Sequence, residues 1–332
     1  MKDNSKERIL ICREGAIGDV MHTLPLVKYL KSKFKNSSIE YLTSGNICEV
    51  LEKHCPYIDQ TWTYVKGNEK DIAVEILENG KKVDYFFNLH STFRFSLFNN
   101  RYIKARKYFQ HRADKNLHVV LNFAKTFDAS ISAFNLNSST LHISDVRDLL
   151  NQYNLHQKNY ICLVPGVGKH RTSRGWPLQN WLDLASKILS LRRDYKVVFL
   201  GGSDESGIKP QFSNFEQSKS LNLIDELSLS DTARIISASA CLVSCDTGLL
   251  HLASALSVKV IGLFGSTKFS RTGPYATEYV VMDAKNCTCK LFGLKTCWRT
   301  RENFGYCMNS IGVDEVLLNV GKLTFSETLL SI

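Results

Sequence analysis

The chain has 332 residues, enough for two domains with a buried core in each. Apolar residues make up 44% and charged residues 22%, a globular balance with neither a solenoid repeat nor a long low-complexity stretch. Lys and Arg number 42 against 32 Asp and Glu, a net charge of +10; this favours anionic partners such as phosphorylated substrates, nucleic acid or an anionic membrane face, although lysine-rich helix faces that only keep a chain soluble give the same sum.

The segment RILICREGA (8–16) carries an apolar run suited to a buried parallel strand. A helix follows, with Leu26, Val27, Leu30 and Phe34 at helical spacing. Pro25 leaves two registers open, a kinked helix from Asp19 or one that starts near Thr23. SIEYLTSG (38–45) is the next strand, a helix falls near 71–82, and DYFFNLH (84–90) is another strand. Residues 138–157 are polar and rich in Asn and Ser, the composition of a linker.

The pattern then restarts. YICLVPGVG (160–168) is a strand that ends in a glycine loop. WPLQNWLDLASKILSL (176–191) is a helix with Pro177 in its first turn and Trp181, Leu184, Ala185 and Ile188 on one face. KVVFLGG (196–202), ACLVSCD (240–246) and VKVIGLFG (258–265) are further buried-type strands. Repeated strand–helix units predict parallel sheets with right-handed crossovers. The expected fold class is therefore α/β, with two Rossmann-like domains facing a cleft: 1–155, 156–312, and a terminal helix in 313–332. No run of 18 apolar residues occurs, and MKDNSKERIL lacks the apolar stretch of a signal peptide, so a cytoplasmic location is expected.

Ligands of such sheets sit beyond the carboxyl ends of the strands, and the informative loops lie there. In GAIGDVMHTLP, Gly15 and Gly18 let the backbone turn and approach a ligand, while Asp19 stands near a helix start. A carboxylate there can serve as general base toward a hydroxyl, or simply cap the helix. SCDTGLLHLASAL follows a strand and opens a helix. Thr247 and Gly248 would offer backbone N–H groups to a diphosphate, with His251 one turn on to bond a phosphate oxygen; a core histidine is the plainer alternative. PGVGKHRTSRGWP combines Gly166 and Gly168 with Lys169, His170, Arg171 and Arg174, a phosphate-cradling composition. Arg174, next to the helix, is the best placed of these to neutralise a departing diphosphate. No G-x-G-x-x-G follows the first strand, no P-loop motif occurs, and there is no G-x-S-x-G elbow.

Taken together, GAIGDVMHTLP, PGVG…RGWPLQNW and CDTGLLHLASAL…VIGLFGSTKFSRTGPY resemble, in order and spacing, the bacterial lipopolysaccharide heptosyltransferases, glycosyltransferase family nine. The resemblance implies the two-domain glycosyltransferase B architecture, an acceptor-binding first domain, a donor-binding second domain, and a terminal helix that crosses back to the first. It implies transfer of heptose from ADP-heptose to the Kdo or heptose of the inner core, with inversion and without a catalytic metal or other cofactor. By position, Asp19 matches the base and Arg174 falls where many members have Lys. Either Asp204 or Glu205 matches a ribose contact, and Asp246, Thr247, Gly248 and His251 match the donor motif; Gly18, Gly166 and Lys169 join the donor-binding set. The implied partners are the nucleotide sugar and an anionic glycolipid, with peripheral attachment to the cytoplasmic face of the inner membrane. Alternatives are a protein acceptor or another nucleotide sugar on the same fold, a nucleotide-sugar epimerase, for which no acid/base motif is evident, and a binding subunit, which would not need Asp19.

The stretch 94–115 interleaves Arg94, Arg101, Lys104 and Arg106 with Phe and Tyr and is expected to face the acidic acceptor. Stacked RNA would suit it too, but no nucleic-acid fold signature occurs elsewhere, so nucleic acid is not an expected partner. Of ten cysteines, six are scattered through strands and helices as expected core thiols. The other four, Cys287, Cys289, Cys297 and Cys307, crowd one loop-like stretch. Four thiolates there can hold a structural zinc or iron; two disulfides or four free thiols are the alternatives. Elemental analysis of protein purified without added metal separates them: a metal site carries zinc or iron at about one per chain, and four freely titrating thiols would remove it.

Overall fold

The apolar runs become the interior strands of two parallel sheets in the computed structural model, which describes residues 6–78, 81–90, 92–132, 136, 139–275, 277–285, 287–291, 300–301 and 304–325. The chain divides into two units, Met1–His142 and Ile143–Ile332.

The first unit contains β1 (Glu7–Cys12), α1 (Ile17–Met21), α2 (Leu24–Lys33), β2 (Ser37–Thr43), α3 (Gly45–His54), β3 (Gln60–Thr63), α4 (Glu69–Ile76), β4 (Tyr85–Asn88), α5 (Arg94–Phe98), β5 (Lys107–Gln110) and α6 (Val119–Ala124). Its strand order is β3-β2-β1-β4-β5, parallel throughout. In register, Ile9 lies beside Ile39 on one flank and Tyr85 on the other. The main helix after β1 starts near Thr23, and a separate short helix from Ile17 precedes it in place of a kinked continuation from Asp19. α1 ends at Met21, and α2 restarts after Thr23 with Pro25 in its first turn, where a missing N–H costs nothing. Thr23 Oγ1 bonds Val20 O at 2.7 Å and the buried Tyr41 hydroxyl at 2.6 Å, which fixes the joint.

The second unit contains α7 (Arg147–Gln152), β6 (Tyr160–Val164), α8 (Leu178–Leu191), β7 (Lys196–Gly201), β8 (Ser220–Ile224), α9 (Leu229–Ala238), β9 (Cys241–Cys245), α10 (Gly248–Ala255), β10 (Val260–Phe264), α11 (Phe269–Thr272), β11 (Tyr279–Asp283), α12 (Thr288–Leu291) and α13 (Val313–Thr324). Its order is β11-β10-β9-β6-β7-β8, again parallel. The stretch read as a linker to 157 contains α7, and α7 belongs to this unit: Arg234 of α9 pairs with Asp148 and bonds Asp145 O. The division therefore falls before Ile143, not at 155.

α8 buries Trp181, Leu184, Ala185 and Ile188, the face expected from its spacing. Trp176 Nε1 donates to Ile311 O at 3.0 Å and stacks edge-on against Trp181. Beside them α13 packs Val316, Val320 and Leu323 into the same core, and its Asp314 pairs with Lys187 of α8. The sequence reading carried 313–332 back to the first domain; the apolar face of the described part lies in the core of the second unit. Cys12, Cys48, Cys55, Cys162, Cys241 and Cys245 are all buried free thiols. Burial pushes Cys55, Cys241 and Cys245 up to about 12, so they pack as small uncharged groups. Among the described residues, no helix is long and apolar enough to cross a membrane. Truncating Val320, fully buried on α13, to Ala should destabilise the second unit by about 1–3 kcal/mol. A lower urea midpoint in Trp176/Trp181 fluorescence would register the loss; an unchanged midpoint would mean that α13 adds no stability.

Candidate active site

Each sheet reverses its strand order between two central strands, β1 and β4 in the first unit, β6 and β9 in the second. Helices leave such a pair toward opposite faces, which opens a crevice at the carboxyl ends.

In the first unit, Arg13, Glu14 and Gly15 leave β1, and Asp19 sits in the first turn of α1. Asp19 does not cap that helix: the N-cap is Ala16, with no side-chain bond. Its carboxylate is 43% exposed, and Arg13 Nη2 reaches its Oδ1 at 3.2 Å. Arg13 also donates to Leu89 O at 3.1 Å, at the exit of β4. His90, next along, accepts from the Glu14 N–H at 2.7 Å through Nε2, so that nitrogen carries no proton. Burial, aided by the Arg13 charge, pushes His90 down to about 4, and the same causes push His111, after β5, down to about 4. Both imidazoles are therefore neutral at physiological pH. Arg13, His90 and His111 escaped the sequence reading. Their available signal was position, each standing just past the end of a strand.

In the second unit, the loop after β6 and the turn after β9 meet. Arg174 Nη1 donates to Asp246 Oδ2 at 2.9 Å, and His251 Nε2 donates to Oδ1 at 3.2 Å. Burial alone pushes the Asp246 carboxyl up, but the His251 bond, the His251 and Arg174 charges and the Thr267 hydroxyl outweigh it and hold Asp246 below the usual carboxylate range. The guanidinium expected to face a diphosphate is thus bound to a buried carboxylate, and so is the imidazole nitrogen. Thr247 caps α10, accepting from Leu250 N at 3.4 Å and sharing a 2.8 Å bond with Ser244 Oγ. The first-turn N–H groups of Gly248 and Leu249 have no acceptor within the helix.

The adjacent acids Asp204 and Glu205 part company. Glu205 Oε1 accepts from Gly168 N at 2.6 Å and Oε2 from Gly202 N at 2.9 Å, tying the loops after β6 and β7 together. Burial pushes its carboxyl up, opposed by the two amide bonds. A Cβ on Gly166 would stand 1.9 Å from Glu205 Cγ, so only glycine fits there. Asp204 is exposed, 3.9 Å from the equally exposed Lys169. Gly18 is buried in α1 of the first unit, apart from this group of loops in the chain.

The basic stretch also divides. Arg94 stands at the carboxyl edge, paired with Glu14 at 3.0 Å. Arg106 is at the other edge: its N–H bonds Val83 O, and its guanidinium faces Asp84, just ahead of β4. Lys104 precedes it, in a left-handed turn with φ 51°. A strand of about 3.3 Å per residue separates these two from Asp19, so they are not brought to its loop. Arg101 is exposed, its guanidinium 5.4 Å from the Tyr102 ring centroid.

Cys289 and Cys307 are buried and Cys287 is half-buried, while Cys297 lies outside the described residues. Among the described residues, no group of three or more His, Cys, Asp or Glu is arranged to hold a metal ion. The Arg174–Asp246 pair yields a test. Asp246→Asn removes the buried charge facing Arg174 and should cost about 3–5 kcal/mol at neutral pH. A depressed carboxyl stabilises above its unfolded pKa, and that contribution is lost as pH falls through the folded one. The penalty, measured by urea unfolding, should therefore shrink in acid; a penalty independent of pH would show that the charge is not its source.

Comparison with known proteins bears on the family and the fold. The model of glycosyltransferase family 9 (heptosyltransferase) matches residues 83–296. Lipopolysaccharide heptosyltransferase 1 of Salmonella typhimurium is 22% identical over 306 residues, covering 81% of this chain and 91% of that protein. Lipooligosaccharide heptosyltransferase 2 of Campylobacter jejuni is 21% identical, covering 93% and 96%. The structure of ADP-heptose lps heptosyltransferase II of E. coli superposes with a TM-score of 0.78 at 19% identity, covering 97% and 99%, which shows a shared fold. The family match spans well over half of the sequence, and the chain belongs to glycosyltransferase family 9, the heptosyltransferases.

Proposed function

We propose that this glycosyltransferase moves a heptose from ADP-heptose to a Kdo or heptose residue of the lipopolysaccharide inner core, with Asp19 as general base. The names of the relatives support the donor and acceptor classes. The observation that carries the mechanism is the state of Asp19: half-exposed at the crevice of the first sheet, free of capping duty, and held on one oxygen.

In this reading the acceptor hydroxyl attacks the anomeric carbon while Asp19 takes its proton. The bond from that carbon to the diphosphate oxygen breaks, ADP leaves, and a single displacement inverts the centre. The diphosphate rests on the N–H groups at the start of α10, with Lys169 as the exposed cation nearby. Arg174, already paired with Asp246, contributes mainly by holding the β6 loop against the α10 turn and only secondarily as a counter-charge. Asp204 is the ribose contact, because Glu205 has both oxygens engaged. On the acceptor side Arg94 is favoured over Lys104 and Arg106, since it shares the edge that carries Asp19. The acceptor is an anionic glycolipid, reached by peripheral attachment to a membrane surface.

A donor panel with rough-core lipopolysaccharide, read by mass spectrometry, tests this directly. ADP should appear only when acceptor is present, and heptosylated core should form in equal amount. Release of ADP without acceptor, or a different transferred sugar, would sink the assignment. Asp19→Asn should retain donor binding and lose turnover by on the order of 10²-fold or more; near-normal turnover would remove Asp19 from the role.

A further inference from the structure

Asp19 stands on a helix of five residues and is 43% exposed. A side chain so placed normally samples several rotamers, whereas a general base works only when aimed at the proton it takes. Something must aim it, and the first unit contains a side chain built for that task. Arg13 is fixed by contacts that do not involve Asp19. Nη1 donates to Leu89 O at 3.1 Å, and the guanidinium carbon lies 5.5 Å from the centroid of the Phe123 ring of α6. The side chain is only 15% exposed, so the guanidinium has little room to follow a moving partner. From this anchored position Nη2 meets Asp19 Oδ1 at 3.2 Å.

The pair is made through Oδ1. The other oxygen, Oδ2, points past Gly15, where a Cβ would come within 3.3 Å of it. Gly15 has φ +144°, a conformation that side-chain-bearing residues rarely adopt. Glycine at 15 thus keeps a side chain from crowding the second oxygen. The neighbouring charges do not compete for Asp19: Glu14 is paired with Arg94, and His90 and His111 are neutral.

We propose that Arg13 is a positioning residue for glycosyl transfer: anchored to the exit of β4 and the Phe123 ring, it holds Asp19 Oδ1 so that Oδ2 is presented to the acceptor hydroxyl. This rests on the reading of Asp19 as the base. A guanidinium that merely filled space would affect folding and leave the turnover of folded enzyme alone.

Steady-state kinetics on Arg13→Met, Arg13→Lys, Asp19→Asn and the Arg13→Met/Asp19→Asn double variant test it, with thermal unfolding run on each. Arg13→Met should lower kcat by about 10- to 100-fold with the donor KM unchanged. Arg13→Lys, which keeps the charge but cannot span both Leu89 O and Asp19, should fall between Met and wild type. In the Asp19→Asn background the Met substitution should cost less than about twofold more, because no base is left to aim. Equal losses in both backgrounds, or unchanged kcat in folded Arg13→Met, would overturn the inference. If Arg13→Met does not fold, unchanged kcat in Arg13→Lys does the same. A crippled Asp19→Asn beside near-normal Arg13 variants would overturn only the role of Arg13, whereas a near-normal Asp19→Asn would overturn the base reading and this inference with it.

Discussion

A parallel sheet whose strand order reverses at its centre sends successive helices to opposite faces, and the crevice left above the carboxyl ends of the central pair is where backbone and side chains can meet a ligand. Both sheets of this chain reverse in that way. The loops after β1 and β4 bring Arg13, Asp19 and His90 to one crevice. Those after β6 and β9 bring Arg174, Asp246 and the start of α10 to the other. Both arginine–aspartate pairs depend on this topology, because residues tens of positions apart become neighbours where the central strands end together.

The two crevices hold the same chemical pair in different states. In each, an arginine from the loop after the first strand meets an aspartate. In the first unit the aspartate is 43% exposed, in the second 6%. Exposure decides what the pair can do. A half-exposed carboxylate keeps an oxygen open to a substrate, and its ion pair contributes little to stability. A buried one is held ionised by its partners, and losing its charge strands a guanidinium in a poorly solvated place. The first pair is suited to proton transfer, the second to joining two loops.

The limits of the sequence reading follow the same topology. The interior strands β1, β2, β4, β6, β7, β9 and β10 were legible because a strand covered on both faces must be nearly continuously apolar. β3, β5, β8 and β11 were not, and these four are the edges of the two sheets. QTWT and KYFQ carry too few apolar residues to register, and β5 lies inside the basic stretch 94–115. Without a recognisable strand between them, Lys104 and Arg106 read as one group with Arg94, because nothing in the sequence tells the two edges apart. The glycine loops and the Asp–Thr–Gly turn were legible, since glycine and a capping hydroxyl mark such places directly. Whether Asp19 caps, whether Arg174 is already paired, and which of two adjacent acids is occupied are matters of three-dimensional partnership, and no local pattern encodes them.

The two adjacent acids after β7 carry a consequence for how this protein can vary. Glu205 is bonded to the amides of Gly168 and Gly202, and its methylene fills the space a side chain at 166 would need. Positions 166 and 205 are therefore locked as a couple, and drift at either must be answered at the other or both loops lose their anchor. Asp204, exposed beside Lys169, has no such obligation to the backbone. One position along the chain, the same chemical group passes from a fixed part of the scaffold to one that the scaffold leaves free for a ligand, so homologues with different nucleotide preferences should diverge at 204 while keeping 205 and its glycine unchanged.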